Sequence, residues 1–478
     1  MRKTTLFYLV TLLVVGFGIL AILHFGKDLP SPGGVPQHSA TAFSDSLMES
    51  VAKDLKHHVN QPLSHLFVQL LVIIGAARLL GGLFTKLGQP SVIGEMTAGI
   101  LLGPSLFGLL APDAFHFVFP TESLGTLKLL SQLGVCLFMF TVGMELNMQH
   151  VRHKAHVAVV VSHASIVAPY FLGVALAYFL FSRLAQPGTS FTAFALFMGI
   201  SMSITAFPVL ARILGERKLT KTFLGSTAIT CAAVDDVTAW SALAFVVAIA
   251  KATSIGASAL NLSLVVLFIA VMLYGVRLLL PRVIGAQEFA QPDPSRRTLA
   301  LVVCVVIGAA FCTEVIGIHA LFGAFLAGAI MPDINNFRHK LSVRVENFST
   351  VLLLPLFFAY TGLRTQIGLV NDLNGWLLCG LIISVATLGK LGGTAITARF
   401  TGIGWRDSLR LGALMNTRGL MELIALNIGY DLGILSPRIF TMFVIMALVT
   451  TCMTGPLLTL FGRLREEENS EVLAAEKV

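Results

Sequence analysis

Charged residues are scarce in this sequence. Asp, Glu, Lys and Arg make up 12% of the 478 residues, against 55% hydrophobic residues, whereas soluble domains carry about 25% charged residues. This shortage excludes an ordinary soluble domain and indicates a polytopic membrane protein. The 33 basic residues exceed the 25 acidic ones by 8, but they lie in short segments between apolar runs. We therefore predict no nucleic-acid partner, because no basic patch is formed.

Motifs for metal and cysteine chemistry are also missing. The six cysteines all lie in apolar runs without C-x-x-C spacing, which favours neither a disulfide framework nor a zinc site. No H-E-x-x-H sequence is present, so a zinc-dependent membrane protease is not indicated. An intramembrane aspartyl protease needs two Asp residues on different helices, whereas the two Asp residues found here are adjacent on one span. We predict neither an enzyme nor a bound cofactor.

Long apolar runs fill most of the chain. Residues 1–62 have the features of a signal peptide or anchor helix followed by an extracytoplasmic segment, and residues 463–478 form a short cytoplasmic tail. Between them the pattern predicts an all-α polytopic membrane protein with thirteen core transmembrane helices. The predicted spans are 63–83, 88–110, 123–147, 155–181, 190–212, 219–250, 256–280, 297–317, 319–332, 347–363, 374–398, 408–430 and 438–462.

The positive charges predict which side of the membrane each loop occupies. With the segment before span 1 outside, the inner loops and the span ends beside them collect most Lys and Arg residues, as the positive-inside rule requires. This orientation places the C-terminus in the cytoplasm. The outer loops and span ends collect only Lys128, Arg183, Lys251, Arg364 and Arg438.

Two spans contain helix-breaking interruptions. Span 5 includes Pro208 after a polar stretch, and span 12 is interrupted by polar residues and Gly419. They are seven positions apart in the order of spans, an odd number, so they cross the membrane in opposite directions. We therefore predict inverted-topology repeats, residues 63–250 and 297–462, joined by a linker helix at 256–280. Paired broken helices in the two halves are the best sequence indicator of a transporter binding site near the midplane.

Two adjacent carboxylates lie near the middle of span 6. A charge at the centre of a span costs about 2.5 to 3.5 kcal/mol, so Asp235 and Asp236 need partners, water or an ion. Neighbours on a helix point about 100° apart, and two different roles are implied. One carboxylate can bind a monovalent cation or a proton, and the other can meet Lys390, the only Lys well inside a later span. A static structural ion pair is the alternative for Lys390.

Other intramembrane polar residues are candidates for supporting roles. An unwound stretch around Ser203, Thr205 and Pro208 would offer hydroxyls and freed carbonyls to an ion. In span 12, Arg418 and Glu422 are spaced i and i+4, which lets them pair within the helix rather than contact the ion. Glu95, near the inner end of span 2, has either a role in a cytoplasmic funnel or a packing role.

Several of these segments resemble the monovalent cation/proton antiporter-2 family, and within it bacterial sodium/proton exchangers and plant cation/proton exchangers. The resemblance covers roughly residues 63–462. It is carried by Val92-Ile93-Gly94-Glu95, Ala98-Gly99-Ile100-Leu101-Leu102-Gly103-Pro104, Thr205-Ala206-Phe207-Pro208-Val209-Leu210-Ala211-Arg212, Ala233-Val234-Asp235-Asp236 and Met415-Asn416-Thr417-Arg418-Gly419-Leu420-Met421-Glu422.

The resemblance implies a homodimer in which a core domain with two crossed, broken helices moves like an elevator. Asp236 would be the principal carboxylate for the cation and the proton, Asp235 would pair with Lys390, and Thr205 with nearby carbonyls would complete the site. The double-Asp form is similar to that of electrogenic members. Potassium-efflux relatives carry a nucleotide-binding regulatory domain, and we expect none in this chain.

Together these observations predict an antiporter that exchanges Na+ or K+ for protons in the bacterial inner membrane. A cation channel or sensor on the same scaffold is the alternative. Hydroxyl, carbonyl and carboxylate ligands serve either ion, so the residues leave the choice between sodium and potassium open.

Overall fold

The computed structural model describes residues 61–145, 155–220, 222–251, 255–291 and 293–475, together with residues 17, 21 and 58. The predicted signal or anchor segment therefore lies almost wholly outside the described residues. The chain divides into two compact units, Met1–Gln61 and Pro62–Val478, and the account below concerns the second. Within the described ranges this unit is helical and has no strand, apart from one isolated bridge between Ala185 and Leu435.

Seventeen helices account for most of the described chain. In chain order they are α1 (Pro62–Lys86), α2 (Ser91–Leu102), α3 (Leu124–Glu145), α4 (Ala155–Leu184), α5 (Phe191–Ser203), α6 (Phe207–Glu216), α7 (Phe223–Lys251), α8 (Ile255–Ala270), α9 (Arg296–Ile316), α10 (Ala320–Ala329), α11 (Phe337–Phe348), α12 (Leu354–Arg364), α13 (Leu373–Thr387), α14 (Gly393–Phe400), α15 (Trp405–Met415), α16 (Leu420–Asp431) and α17 (Pro437–Ala475).

Shorter helical pieces connect or extend these helices. They are Phe107–Leu110, Pro112–Val118, Thr121–Ser123, Arg277–Ile284, Ala286–Ala290 and Ile367–Val370. Three further segments have π-helical geometry and continue a neighbouring α-helix: Val271–Val276, Ser349–Leu353 and Leu388–Gly392.

Ten helical stretches in the described chain are long and apolar enough to cross a membrane, so the protein is a multi-pass membrane protein. Two shorter apolar helices, Ala320–Ala329 and Val351–Arg364, fall on predicted spans 9 and 10. Predicted span 12 falls on α15 and α16, which have 11 and 12 residues and are each too short to cross alone. The figure of thirteen crossings stays a prediction.

The helices pack as two bundles. The first bundle consists of α1, α2, α3, α9, α10 and α12, which pack chiefly against one another, with α11 against α3. The second bundle consists of α4 to α7 and α13 to α17, with α4 packed against α5, α7 and α14. Helix α8 contacts α7 of the second bundle and α9 of the first. Each bundle thus contains helices from both halves of the chain.

Glycines allow the closest helix approaches. In the first bundle, a Cβ added at Gly99 of α2 would collide with the backbone of Phe358 in α12, and one at Gly362 of α12 would collide with Gly99. In the second bundle, a Cβ at Gly389 would lie 2.9 Å from Cα of Pro169 in α4. This second approach brings α4 against the π-helical segment Leu388–Gly392.

Candidate functional site

The first helix break lies between α5 and α6. Helix α5 ends at Ser203, residues 204–206 are non-helical, and α6 begins at Phe207. Pro208 occupies the first turn of α6, where its missing N–H costs no intrahelical bond. A proline at this position favours a fresh helix start, and the residues before it leave the α conformation.

The second break lies between α15 and α16, at residues 416–419. Gly419 has φ of +155°, a backbone conformation that favours glycine. The two breaks cross: Ala206 N donates to Thr417 O at 2.9 Å, and Thr205 Oγ1 donates to Met415 O at 3.1 Å. The interruptions in spans 5 and 12 therefore lie against each other in the second bundle.

The break in α5 frees backbone groups that must be paired inside the protein, because a bilayer offers them no water. Arg418 donates to the carbonyls of Ser201, at 3.0 Å, and Met202. Lys390 Nζ donates to the carbonyl of Ser203. Charged side chains from the second half of the chain thus cap the end of α5.

Asp235 accepts hydrogen bonds from three elements. Its Oδ2 lies 3.0 Å from Lys390 Nζ and accepts from Thr205 N at 3.1 Å. Its Oδ1 accepts from Ser165 Oγ of α4 at 3.1 Å. Both members of the Asp235–Lys390 ion pair are fully buried. The ion pair expected from the family resemblance is therefore present, and it joins α7, the break and the π-helical segment.

The π-helical geometry helps to place the lysine. Lys390 lies in Leu388–Gly392, between α13 and α14, and π-bulges are frequent at functional sites. Gly389 permits the close approach of Pro169, and this approach brings Ser165 of the same helix to within 3.5 Å of Lys390 Nζ. Small residues on either side of the lysine are the sequence signal for this contact.

Arg418 and Glu422 form the second buried ion pair. Arg418 Nη1 lies 2.8 Å from Glu422 Oε2, and both side chains are fully buried. The two residues pair, as the i and i+4 spacing predicts, but Arg418 lies in the break and only Glu422 lies in α16. Thr451 of α17 holds the backbone of this break, because its Oγ1 accepts from Arg418 N at 3.1 Å and donates to Arg418 O at 2.6 Å.

The remaining predicted site residues lie at different places relative to these two buried ion pairs. Asp236 is buried beside Asp235, with 1% of its surface exposed. Ser203 is buried at the end of α5, and its Oγ donates to Gly199 O at 2.7 Å. Glu95 is buried in α2 of the first bundle, within electrostatic reach of Arg78 and Arg212 rather than of the buried pairs.

Two residues that the motifs did not single out belong to this region. Ser165 lies in an apolar span and bonds Asp235, but a lone serine gives no signal in the sequence. Asn416 lies in the second break and is fully buried. Its place inside a polar interruption was the only available signal.

Five buried charges therefore lie at or beside the crossed breaks: Asp235, Asp236, Lys390, Arg418 and Glu422. We call them the charged cluster. In the described part of the chain, no group of three His, Cys, Asp or Glu side chains could hold a metal ion. Intramembrane charges of this kind mark ion pathways and proton relays, and broken helices that face each other are the usual frame of secondary transporters. The fold and the site define a protein of the secondary-transporter class.

Comparison with known proteins identifies the family. Residues 71–463 match the family described as sodium/hydrogen exchanger, transmembrane, and the chain belongs to it. The resemblance found in the sequence is confirmed. The chain is 46% identical over 396 residues to the Na(+)/H(+) antiporter NhaS4 of Synechocystis sp., a match that covers 82% of this chain and 96% of that protein.

A plant relative and a solved structure agree with this assignment. Cation/H(+) antiporter 17 of Arabidopsis thaliana is 40% identical over 409 residues, which are 83% of this chain and 48% of the plant protein. The chain thus spans about half the length of that relative. The sodium proton antiporter MjNhaP1 of Methanocaldococcus jannaschii shares the fold with a TM-score of 0.56 at 13% identity, over 82% of this chain and 95% of that one.

Proposed function

We propose that the protein exchanges a monovalent cation, Na+ or K+, for protons across the bacterial inner membrane, with its C-terminus in the cytoplasm. The names of its relatives, a Na(+)/H(+) antiporter and a cation/H(+) antiporter, support this function. The charge of the buried cluster supports it independently.

The net charge of the cluster is the observation that carries the proposal. Two positive residues, Lys390 and Arg418, face three negative ones, Asp235, Asp236 and Glu422, and all five are at most 1% exposed. With every group ionised the sum is −1. A buried uncompensated charge is costly, and either one monovalent cation or one proton would neutralise it. Cation and proton therefore compete for one negative charge, which is what exchange requires.

We assign the exchanging role to Asp236, the position that the family resemblance makes the principal carboxylate for the cation and the proton; the other two carboxylates have structural contacts. Asp235 accepts from Ser165, Thr205 N and Lys390, and Glu422 is paired with Arg418. The hydroxyl oxygens of Ser203 and Thr205 keep lone pairs after donating their protons, so they can serve as neutral ligands for the cation. The half-helix ends at the break add carbonyl dipoles to the same region.

The protonation of Lys390 sets the proposed number of protons exchanged for each cation. If the cation displaces one proton from Asp236 and a second from Lys390, two protons move for each cation and the cycle carries one net charge. With Lys390 protonated, either load brings the cluster to 0; loss of the Lys390 proton leaves the cation-loaded cluster at −1, and this difference of one charge is what the cycle moves. Electrogenic exchange follows from this count, in keeping with the double-Asp form of the motif.

The two bundles suggest how the site reaches both sides. We propose thirteen membrane crossings arranged as two inverted repeats, in which the first three helical spans of each repeat form the first bundle and the last three form the second. All five charges of the cluster, and both breaks, belong to the second bundle. A second bundle that moves as one body against the first would carry the site across without breaking its internal bonds. The first bundle is then the natural homodimer surface.

Reconstituted exchange tests this function. In proteoliposomes, an imposed Na+ or K+ gradient, tested separately, should drive protons in the opposite direction, and Asp236→Asn should abolish this exchange while the protein still folds. Asp113→Asn, at an exposed position, is the control and should exchange normally. Cation flux that ignores the pH gradient would indicate a channel instead, and retained exchange in Asp236→Asn would remove Asp236 from the centre of the site.

A further inference from the structure

Asn416 is a buried amide whose side-chain atoms find no hydrogen-bond partner in the described part of the chain. The residue is fully buried in the break after α15. Neither Oδ1 nor Nδ2 has a hydrogen-bond partner among the described residues, although its backbone N–H donates to Gly412 O at 3.0 Å. An unpaired buried polar group costs about 1 to 3 kcal/mol. An apolar residue would avoid that cost, so the amide points to a partner other than the residues that the structure describes.

The position of Asn416 indicates what that partner is. The residues on either side of it bond the other break: Met415 O accepts from Thr205 Oγ1, and Thr417 O accepts from Ala206 N. Thr205 N in turn donates to Asp235. Asn416 thus lies between the two bonds that join the crossing, one residue from the contact with Thr205.

We infer that the amide oxygen of Asn416 is a ligand of the transported cation. This inference rests on the proposed function. An amide oxygen is a hard, neutral ligand that suits Na+ or K+, and it adds a ligand without changing the net charge of the cluster. Selectivity between these ions depends on the number and geometry of the ligands, so Asn416 contributes to the choice of cation as well as to affinity.

Asn416→Leu separates binding from packing. It has nearly the same size and no polar atoms, so the variant should fold at least as stably as the parent without cation. The apparent KM for the cation should rise on the order of tenfold, the effect of about 1.4 kcal/mol of lost binding, with the maximal rate largely kept. The rise in melting temperature that Na+ or K+ produces in detergent should shrink, because it measures binding to the folded state. Asn374→Leu, at an exposed position in α13, is the control.

Asn416→Ser is the second variant, because a smaller side chain cannot overpack the break. It should change the KM in the same direction by a smaller factor. An unchanged KM and an unchanged cation-dependent melting shift in either folded variant would overturn the inference, and so would failure of both variants to fold, which would assign the amide to structure. If Asp236→Asn abolishes exchange while Asn416→Leu behaves normally, only this inference fails and the proposed function stands.

A second observation concerns the end of the molecule that is predicted to face outside. Asp431, the last residue of α16 in the second bundle, lies 2.7 Å from Arg364 of α12 and 3.2 Å from Lys128 of α3, both in the first bundle. Asn427, one turn earlier, accepts from Arg364 Nη1 at 3.1 Å and donates to Thr361 Oγ1 at 2.9 Å. Four polar contacts therefore join the two bundles at this end.

Aromatic rings and a small cavity complete this contact region. The guanidinium of Arg364 lies 4.3 Å from the ring centre of Tyr360 in its own helix and 5.0 Å from that of Tyr430 in α16, within the range of cation–π attraction. A cavity of about 30 Å³ lies beneath the contacts, lined in part by Ser131, Asn427 and Asp431. The ion pairs keep 15 to 35% of their side-chain surface exposed, so water can replace them when they break.

We propose that these contacts form an outer latch that holds the second bundle in its present position and closes the site toward the outside. Breaking the latch should favour the outward-open position, which would expose the cavity wall. The proposal depends on relative movement of the bundles and not on the identity of the cation ligands.

Thiol labelling measures this opening. Ser131→Cys, placed on a background without the natural cysteines, should react slowly with a membrane-impermeant thiol reagent, because Ser131 is 1% exposed. Adding Asp431→Asn should raise the labelling rate on the order of tenfold. Asp372→Asn is the matched control, since Asp372 pairs with Arg438 at an exposed site within the second bundle, and it should leave the rate unchanged. Equal rates with and without Asp431→Asn, or an equal increase in the control, would overturn the latch.

Discussion

Lys390→Met is the substitution that most directly probes the charged cluster. It removes the positively charged partner of Asp235 from a fully buried ion pair. It also removes the hydrogen-bond donor to the carbonyl of Ser203. Asp235 keeps two donors, Ser165 Oγ and Thr205 N, each at 3.1 Å. The variant therefore leaves a buried carboxylate that is still hydrogen-bonded but has lost its counter-charge.

The expected cost follows from this geometry. Breaking a buried ion pair by removing one partner costs about 3 to 5 kcal/mol, and the two remaining hydrogen bonds favour the lower end of that range. We expect a loss near 3 kcal/mol in the free energy of unfolding, or roughly a hundredfold in the ratio of folded to unfolded protein. Lys86→Met, which removes an exposed Lys at the end of α1, is the control and should cost well under 1 kcal/mol.

The double variant Lys390→Met/Asp235→Asn should recover most of that loss. The amide of Asp235→Asn can accept from Thr205 N and donate to Ser165 Oγ, because the Ser165 hydroxyl has an alternative acceptor in Ser162 O at 2.8 Å. No buried charge then lacks a partner through the substitution. Equilibrium unfolding in mixed detergent, compared across the two single variants and the double variant, gives the coupling energy of the pair.

Transport by the double variant tests the same reasoning on function. The cluster would again sum to −1, from Asp236, Arg418 and Glu422, so we expect exchange of one proton per cation that no longer responds to the membrane potential. A double variant no more stable than Lys390→Met would refute the stranded carboxylate as the cause of the loss. Potential-dependent exchange in a folded double variant would remove Lys390 from the stoichiometry, and absence of the single variant from the membrane would show that the pair is chiefly structural.

Two further predictions concern the frame around the site. In the segment before α9, the backbone N–H of Ser295 donates to the Glu288 carboxylate at 2.5 Å, and this bond lowers the pKa of the Glu288 carboxyl. The stabilisation from this hydrogen bond is therefore present at neutral pH and is lost as the pH falls through the lowered pKa. Glu288→Gln should speed hydrogen exchange at Ser295 N near neutrality and match the parent in acid, and a difference that persists in acid would contradict the assignment. Gly99→Leu should destabilise the fold by about 1 to 3 kcal/mol or more, because the new side chain meets the α12 backbone. Gly82→Leu is the control and should not destabilise the fold, because a Cβ there has no neighbour within 4 Å. Equal melting temperatures for the two variants would argue against the close approach of α2 and α12.

The free-energy cost of placing charged residues in apolar spans could be predicted from the sequence, and this cost marked those residues as functionally important. Two carboxylates in an apolar span must be compensated, whatever the fold, so Asp235 and Asp236 stood out. Pro208 restricts the backbone at its own position and Gly419 permits a positive φ, and both breaks occur beside them. The pairing of Arg418 with Glu422 joins two residues only four positions apart in the chain. Each of these inferences uses energies or geometry that are local to a few residues.

The partners of the charges could not be predicted in the same way. Which carbonyls Arg418 and Lys390 cap depends on how α5 crosses the second break, and this contact joins segments more than 180 residues apart. Spacing placed Asp235 and Asp236 on different faces, but only family resemblance paired Asp235 with Lys390. Beyond its place in the polar interruption, Asn416 had no signal in the sequence, because an unsatisfied amide becomes visible only when its surroundings are known.

The contacts inside the second bundle cost more free energy to break than the contacts between the two bundles. This difference favours movement of the second bundle against the first over rearrangement inside the second bundle. Inside the second bundle, breaking the Asp235–Lys390 pair would strand a charge at a cost of about 3 to 5 kcal/mol, since both side chains are fully buried. Between the bundles, Asp431 meets Lys128 and Arg364 through partly exposed ion pairs. Water can solvate these charges when they separate, so breaking these pairs costs less than breaking a fully buried one. A cycle that breaks only the contacts between the bundles leaves the side chains of the charged cluster in contact with one another in every state, whether or not Lys390 carries its proton. The cation and the proton then meet the same ligands on both sides of the membrane, and the two ion gradients together with the membrane potential decide the direction of exchange.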